Sequence, residues 1–365
     1  LAAVRRILPT VTAASESPDL PTSTPPSAET APSSAREAGE TSIYKPFRAL
    51  LPPERVRELS VLNPLRPVLD TIWMWTGILA AWVLVAWHPA WWTVALAIPV
   101  IGTRFYGLFI IGHDGMHRRI FNRTATNDLF CDLFILGPIG AITRINNRNH
   151  LEHHLHLATE RDPDRHKHAC FNKSTRPEYL FFLSGLMSLL PALGNVYAGR
   201  AQKAKKAAAA PNPQRQHGPR DFAILLGWQI ALIGGLTWGI GWWAYPVLWL
   251  LPVYVHAYLA DLVRSFLEHA HPESDDRADK HRMISYVSNP LERRIFAPMN
   301  MNHHAAHHLW TSIPYYRLKE ADAELRRHPD AGALEWRSSY LGFALRYFLA
   351  LPLPECRRSS TSASA

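Results

Sequence analysis

Cysteine is scarce in this chain. Three occur in 365 residues, Cys131, Cys170 and Cys356, and none forms a Cys-x-x-Cys pair. That excludes a disulfide framework and a cysteine-ligated zinc ribbon, and it fits a reducing compartment. Charge is also sparse, at 19% of residues, against about 25% in an average soluble domain. Acidic residues fall short of basic ones, 30 against 39, leaving a formal net charge of +9. A basic balance first raises nucleic-acid binding. No recognition motif accompanies it here. The Lys and Arg clusters flank apolar runs instead, as they do on the cytoplasmic side of membrane spans. Nucleic acid is therefore not an expected partner.

Residues 1–42 contain no Phe, Trp or Tyr and are rich in Ser, Thr, Pro and Ala. Such a segment buries too little apolar surface to offset its ordering entropy, and a disordered tail is expected. Arg5 and Arg6 suggest a targeting peptide, but Glu16, Asp19, Glu29, Glu37 and Glu40 oppose that reading. A first residue of Leu in place of Met points to a non-standard start or a trimmed chain, and favours a bacterial origin.

What the chain has in quantity is apolar sequence, 47% of residues, and histidine, 19 in all. Four apolar stretches run over residues 69–87, 90–112, 222–239 and 244–263. Each is about 18 to 23 residues long, enough to cross a bilayer as a helix. The first pair is joined at His88-Pro89 and the second at Gly241-Trp242-Trp243, so two helical hairpins are expected. Trp87, Trp91 and Trp92 mark one tip, and Trp238, Trp242 and Trp243 the other. Indoles favour the membrane interface, so both tips belong to one kind of boundary. Arg118, Arg119, Arg123, Arg200, Lys203, Lys205, Lys206, Arg293 and Arg294 cluster at the opposite ends. The positive-inside rule then puts both termini and the middle segment in the cytoplasm. The stretch Tyr179–Val196 contains Gly, Pro and Asn, and an interfacial or re-entrant helix is expected there.

The histidines are grouped. His113 and His117 follow the second stretch; His150, His153 and His154 precede the third; His303, His304, His307 and His308 follow the fourth. Positions i, i+3 and i+4 share a helix face, so each group can aim several imidazoles at one place. One HxxxH and two HxxHH groups in one chain are hard to obtain by chance. His303 leaves the register of the last group open, and His156 reads as a bystander. With two hairpins, all three groups reach the cytoplasmic face. Imidazole suits iron, copper, zinc and nickel. One structural zinc needs four ligands, so eight candidates suit two metal ions. The segment Thr159–Asp164 reads as a turn.

These groups and the spans between them, over about residues 60–325, resemble the membrane fatty-acid desaturase family. The string Asn302-His303-His304-Ala-Ala-His307-His308-Leu309 and the following Ile313-Pro314-Tyr315-Tyr316-Arg317-Leu318 are similar to its third histidine box and the segment after it. Arg264-Ser-Phe-Leu-Glu268-His269 resembles the extra histidine that the family carries after the fourth span. The resemblance implies two non-haem iron ions, O2 as oxidant, a lipid acyl substrate and electrons from an external ferredoxin- or rubredoxin-like donor. It implies the ligand set His113, His117, His150, His153, His154, His269, His304, His307 and His308, with no catalytic residue beyond these. Asn302 joins the site by analogy. Glu152 and Glu268 either orient imidazoles or face water. One departure is His303, which stands where the family has an aromatic residue. Another is the lack of any fused haem-binding donor domain.

The expected protein is thus an all-α integral membrane enzyme, with four transmembrane helices in two hairpins and a cytoplasmic helical cap carrying the histidines. Its parts are a tail (1–42), a desaturase-like domain (43–330) and a C-terminal helix with a polar tail (331–365). The expected reaction is fatty-acid desaturation in a bacterial inner membrane. Carotenoid hydroxylation or ketolation is the alternative, and a non-catalytic metal-binding protein the weaker one.

Overall fold

Proline and glycine punctuate the apolar sequence and mark several of the helix boundaries. The computed structural model describes residues 45–157, 162–168, 173, 175–186, 218–269 and 283–352. The first long helix, Leu65–Trp87, starts after Pro64 and stops before His88-Pro89, where a proline cannot continue the ladder. The second is Trp91–Met116. The third, Pro219–Gly239, opens with proline in its first turn, where the missing N–H costs nothing. The fourth, Pro246–His269, includes π-helical turns over Pro246–Leu250 and Val253–Leu259.

All four are long and apolar enough to cross a membrane. Only 11% of the most apolar window of the third is buried within the protein. An apolar helix this bare suits hydrocarbon, not water. Two of these helices outrun the expected spans. The second continues past residue 112 through His113 to Met116, and the fourth past residue 263 to His269. His269 therefore ends the fourth helix, where the resemblance put it in a segment beyond.

Aromatic packing ties the long helices together. Trp75 of the first stacks on Trp228 of the third at 5.5 Å and on Trp249 of the fourth at 6.1 Å. Phe105 of the second meets Trp249 edge-on at 5.2 Å. π-Helical turns loosen backbone carbonyls from the regular ladder, and indole N–H groups use some of them. In a π-helical turn at Asp132–Leu136, Phe134 O accepts from Trp75 and Leu133 O from Trp228 (2.8 Å each), and in the fourth helix Leu248 O accepts from Trp82 (3.2 Å). The second and fourth helices approach closely at Gly102. A Cβ there would lie 2.0 Å from His256 Nδ1, so no larger residue fits without displacing the His256 ring.

The remaining described chain is short helices and loops. It departs from all-α in one place. Strands β1 (Ile284–Tyr286) and β2 (Glu335–Arg337) form a parallel pair in the register Ile284↔Glu335. This pairing packs residues beyond 330 against the earlier chain, ahead of a helix at Tyr340–Ala350. Of the Tyr179–Val196 stretch, the described part is the end of a helix at Arg176–Leu183 and the turn after it, where Gly185 has φ 74°. The 1–42 tail, the basic cluster at residues 200–206 and the polar C-terminal tail lie outside the described residues.

Candidate metal centre

Three short helical pieces carry histidine into one place. The last turn of the second long helix holds His113, with His117 as its C-cap. The Thr143–His156 helix holds His150, His153 and His154. The His304–Leu309 helix holds His304, His307 and His308. Hydrogen bonds fix these pieces to one another. Tyr315 N donates to Asp114 Oδ2 (2.6 Å), joining the first histidine pair to the segment after the last. Asn302 Nδ2 donates to Tyr286 O (2.8 Å), anchoring the last group on β1. Asn302 is thus engaged with a strand. Arg119 donates to Ser60 O (2.6 Å) and Arg48 to Leu309 O (3.1 Å).

The rings sort into two adjacent groups. His113, His117, His150, His154 and His307 bring one ring nitrogen each to within 4.8 Å of all the others. His153, His269 and His308 do the same, and His304 Nε2 lies 2.9 Å from His269 Nε2. His154 and His308 join the groups, with ring centroids 4.2 Å apart. All nine histidines singled out from sequence and resemblance lie in this assembly.

Helix geometry explains the sorting. Residues four apart are about 40° apart around the axis, and residues three apart about 60° the other way. The i, i+4 pairs His113/His117, His150/His154 and His304/His308 each stay in one group. The i+3 members His153 and His307 cross to the other. The two HxxHH segments thus exchange a ligand each.

The donor set fits metal ions better than a hydrogen-bond network. His150 Nε2 lies 2.8 Å from His117 Nε2 and 3.1 Å from His154 Nε2, and His307 Nε2 is 3.2 Å from His154 Nε2. A ring nitrogen holds one proton or one lone pair, so His150 can satisfy one of its two contacts. The Nδ1 atoms of His113, His154 and His307 have no hydrogen-bond partner although buried. Lone pairs converging on an ion resolve the crowding of the Nε2 atoms. With metal–nitrogen bonds of about 2.0–2.1 Å, ligands at right angles sit about 2.9 Å apart, close to these spacings. The protonation states agree. Burial pushes His117 down to about 3. It drives His150, His154, His304, His307 and His308 well below the ordinary histidine value, and neighbouring histidines add to the effect. Neutral rings keep lone pairs for a metal.

Carboxylates stand behind the second group. His153 Nδ1 donates to Asp162 Oδ1 (2.9 Å), and His168 Nε2 lies 2.8 Å from Asp162 Oδ2. Burial opposes the Asp162 charge, but the hydrogen bonds from His153 and His168 outweigh it and hold the carboxyl far below its usual range. His153, Asp162 and His168 are close enough to suggest a third metal position. Their spacings are those of hydrogen bonds, and His153 already belongs to the second group. Glu268 accepts from Arg264 Nη1 (3.0 Å) and Tyr340 Oη (2.7 Å) and lies 3.2 Å from His304 Nδ1, without hydrogen-bond alignment. Glu152 instead faces outward, 3.4 Å from His156 Nε2. His303 turns away to Asp322 Oδ2 at 2.9 Å, which makes His304 the first clustered member of the last group. Asp162 and His168 escaped the sequence reading. Neither sits at a helical spacing from the second group, and their one signal was a further acid and histidine close downstream.

A cavity of about 210 Å³ borders the assembly, between polar Lys167, Asp261 and Arg264 and apolar Phe109, Met116 and Leu136.

Comparison with known proteins follows this geometry. The family described as Fatty acid desaturase matches residues 89–340. A beta-carotene ketolase from Paracoccus sp. is 26% identical over 254 residues, covering 66% of this chain and 88% of the ketolase. An sn-1 acyl-lipid omega-3 desaturase (ferredoxin) from Nostoc sp. is 25% identical over 243 residues, covering 62% of this chain and 65% of that enzyme. A desaturase of the same description from Synechocystis sp. is 26% identical, covering 68% of this chain and 72% of its own length. The matched span runs from the turn between the first two long helices to Tyr340, whose hydroxyl meets Glu268, and the chain belongs to the fatty acid desaturase family.

Proposed function

We propose that this protein is a membrane oxidoreductase that uses O2 at a di-iron centre to desaturate a fatty acyl chain. The observation that carries the reading is the convergence of the Nε2 atoms of His117, His150, His154 and His307 beside a second histidine group. One ion would be held by His113, His117, His150, His154 and His307, and the other by His153, His269, His304 and His308. Bound there, iron supplies the O2 activation and C–H cleavage that no side chain performs. The balance is one O2, two electrons and two protons, which with two hydrogens from the acyl chain become two waters and a double bond. Burial keeps the imidazoles neutral at their ligating nitrogens. Asp162 holds the proton of His153 on Nδ1 and so turns the Nε2 lone pair inward. The bordering cavity is below the ~300–1,000 Å³ of a site that encloses a whole ligand, so the reacting stretch of the chain enters and the rest stays in lipid.

The membrane arrangement belongs to the same proposal: two hairpins with their tips outside, the histidines and both termini in the cytoplasm. Trp87, Trp91, Trp92, Trp238 and Trp242 are exposed at the tips, which supports it. Cysteines introduced at residues 89 and 240 should label from the non-cytoplasmic side, and cytoplasmic labelling of either rejects it. The electron source would be an external ferredoxin-like protein, in keeping with the descriptions of the acyl-lipid relatives.

A second reading is oxygenation of a carotenoid. It is favoured by the 88% of the ketolase's length that this chain covers. Expression in a host that makes both lipid classes, followed by acyl and carotenoid profiling, separates the two. New unsaturated acyl chains support desaturation. Oxygenated carotenoids with unchanged acyl chains select the second reading. No change in either, from iron-loaded protein supplied with reduced ferredoxin, rejects both.

A further inference from the structure

The third histidine segment has a second face. Asn302 and His303 border a pocket of about 540 Å³ that none of the nine clustered histidines lines. Among its described lining residues are Arg104, Arg293, Arg294 and Lys319, with no Asp or Glu. None of the four cations is in an ion pair among the described residues. Arg104 belongs to the second long helix, within a stretch apolar enough to cross a membrane. Its side-chain partners there are Met74 Sδ, at 4.0 Å, and the Trp73 ring, neither of them acidic. An arginine without an acidic partner at that depth is rare and marks an anion or a polar path.

The fold makes room for it. Arg104 lies across Gly77 of the first long helix, where a Cβ would come within 2.8 Å of its Nε. Its guanidinium sits 4.8 Å from the Trp73 ring centroid, a cation–π contact that steadies it without neutralising it. Arg294 lines the same pocket as Arg104. Like charges held together around a cavity call for an anion between them. The apolar walls of the pocket are Trp73, Met74 and Val100. Past Gly77, toward the Trp87 tip, Ala80 and Val83 carry apolar surface onward along the exposed side of the first helix. Cations above and apolar helix below match a phosphate headgroup with its acyl tails. A soluble acidic protein could reach Arg293, Arg294 and Lys319, but not the floor between two long helices.

We propose that this pocket binds the phosphate of an anionic glycerophospholipid in the cytoplasm-facing leaflet. The site rests on the membrane arrangement above and not on the oxidation chemistry.

Native mass spectrometry of the detergent-purified full chain tests it, with phosphatidylglycerol, phosphatidylcholine and inorganic phosphate as separate probes. One phosphatidylglycerol per chain should be retained, roughly ten-fold more tightly than phosphatidylcholine. Paired Arg293→Gln and Arg294→Gln, both exposed positions, should weaken retention roughly ten-fold, as should Gly77→Leu, which displaces Arg104. His307→Ala should leave retention unchanged, separating this site from the metal centre. Equal retention of the two lipids overturns the proposal, as does full retention by the Arg pair variant. Inorganic phosphate that competes at the same concentration as the lipid points to a soluble ligand and also overturns it. Slower reduction by a [2Fe-2S] ferredoxin in the Arg pair variant, with lipid retention intact, assigns the surface to a protein partner and rejects the lipid. Loss from carbonate-washed membranes would instead sink the membrane arrangement itself.

Discussion

The two histidine groups use one side chain and support it differently. In the four-membered group, His153 leans on Asp162 and His304 lies against Glu268. In the five-membered group, the Nδ1 atoms of His113, His154 and His307 have no hydrogen-bond partner. A carboxylate behind an imidazole fixes its tautomer and strengthens it as a donor. The two groups are therefore unequal. One has a ring held by a buried carboxylate, and among the described residues no carboxylate meets a ring of the other.

The largest test of this contrast removes a ring. His154→Ala should empty the five-membered group and abolish activity, with iron analysis falling to at most one ion per chain while the protein still inserts in membranes. Full iron content in that variant breaks the assignment. Next is the brace. Asp162→Asn should cost about 10–100-fold in metal affinity, with the loss confined to the four-membered position. Metal titration followed by Mössbauer spectroscopy would read this, and equal weakening of both positions would erase the distinction. Glu268→Gln should act in the same direction and less strongly, about ten-fold, because its contact with His304 lacks hydrogen-bond alignment. The smallest metal effect belongs to His303→Ala. It should leave iron content unchanged and cost about 1–3 kcal/mol of stability by removing a partner from buried Asp322. Iron loss there would restore His303 to the ligand set.

The legible parts of this protein were those governed by local period and length. Four apolar stretches of spanning length became four helices, because a run that long has few other ways to satisfy its backbone in hydrocarbon. The HxxxH and HxxHH spacings pointed to shared faces because a helix returns to the same side after four residues. His269 came from resemblance alone, since a single histidine has no spacing to read. Its true position, ending the fourth helix, depended on how far that helix runs.

Other features had no local signature. Asp162 and His168 come from a segment that folds back on the Thr143–His156 helix, and sequence distance says nothing about such a return. The register of His303 and His304 stayed open until Asp322, from a later helix, claimed His303. The indole bonds to carbonyls of π-helical turns depend on where those turns fall. Arg104 lies within the apolar stretch 90–112, and no local pattern shows that Gly77 of a neighbouring helix leaves space for it.

By itself, the sequence determined that the protein has four membrane-length helices and three histidine groups able to present rings along helix faces. Both follow from composition and period. The tertiary structure alone decided that the i+3 histidines of the two HxxHH segments cross between groups, and that Asp162 holds His153 of one group by a hydrogen bond. The reason is that an imidazole's direction is local, whereas the ring or carboxylate it meets is supplied by helices far away in the chain.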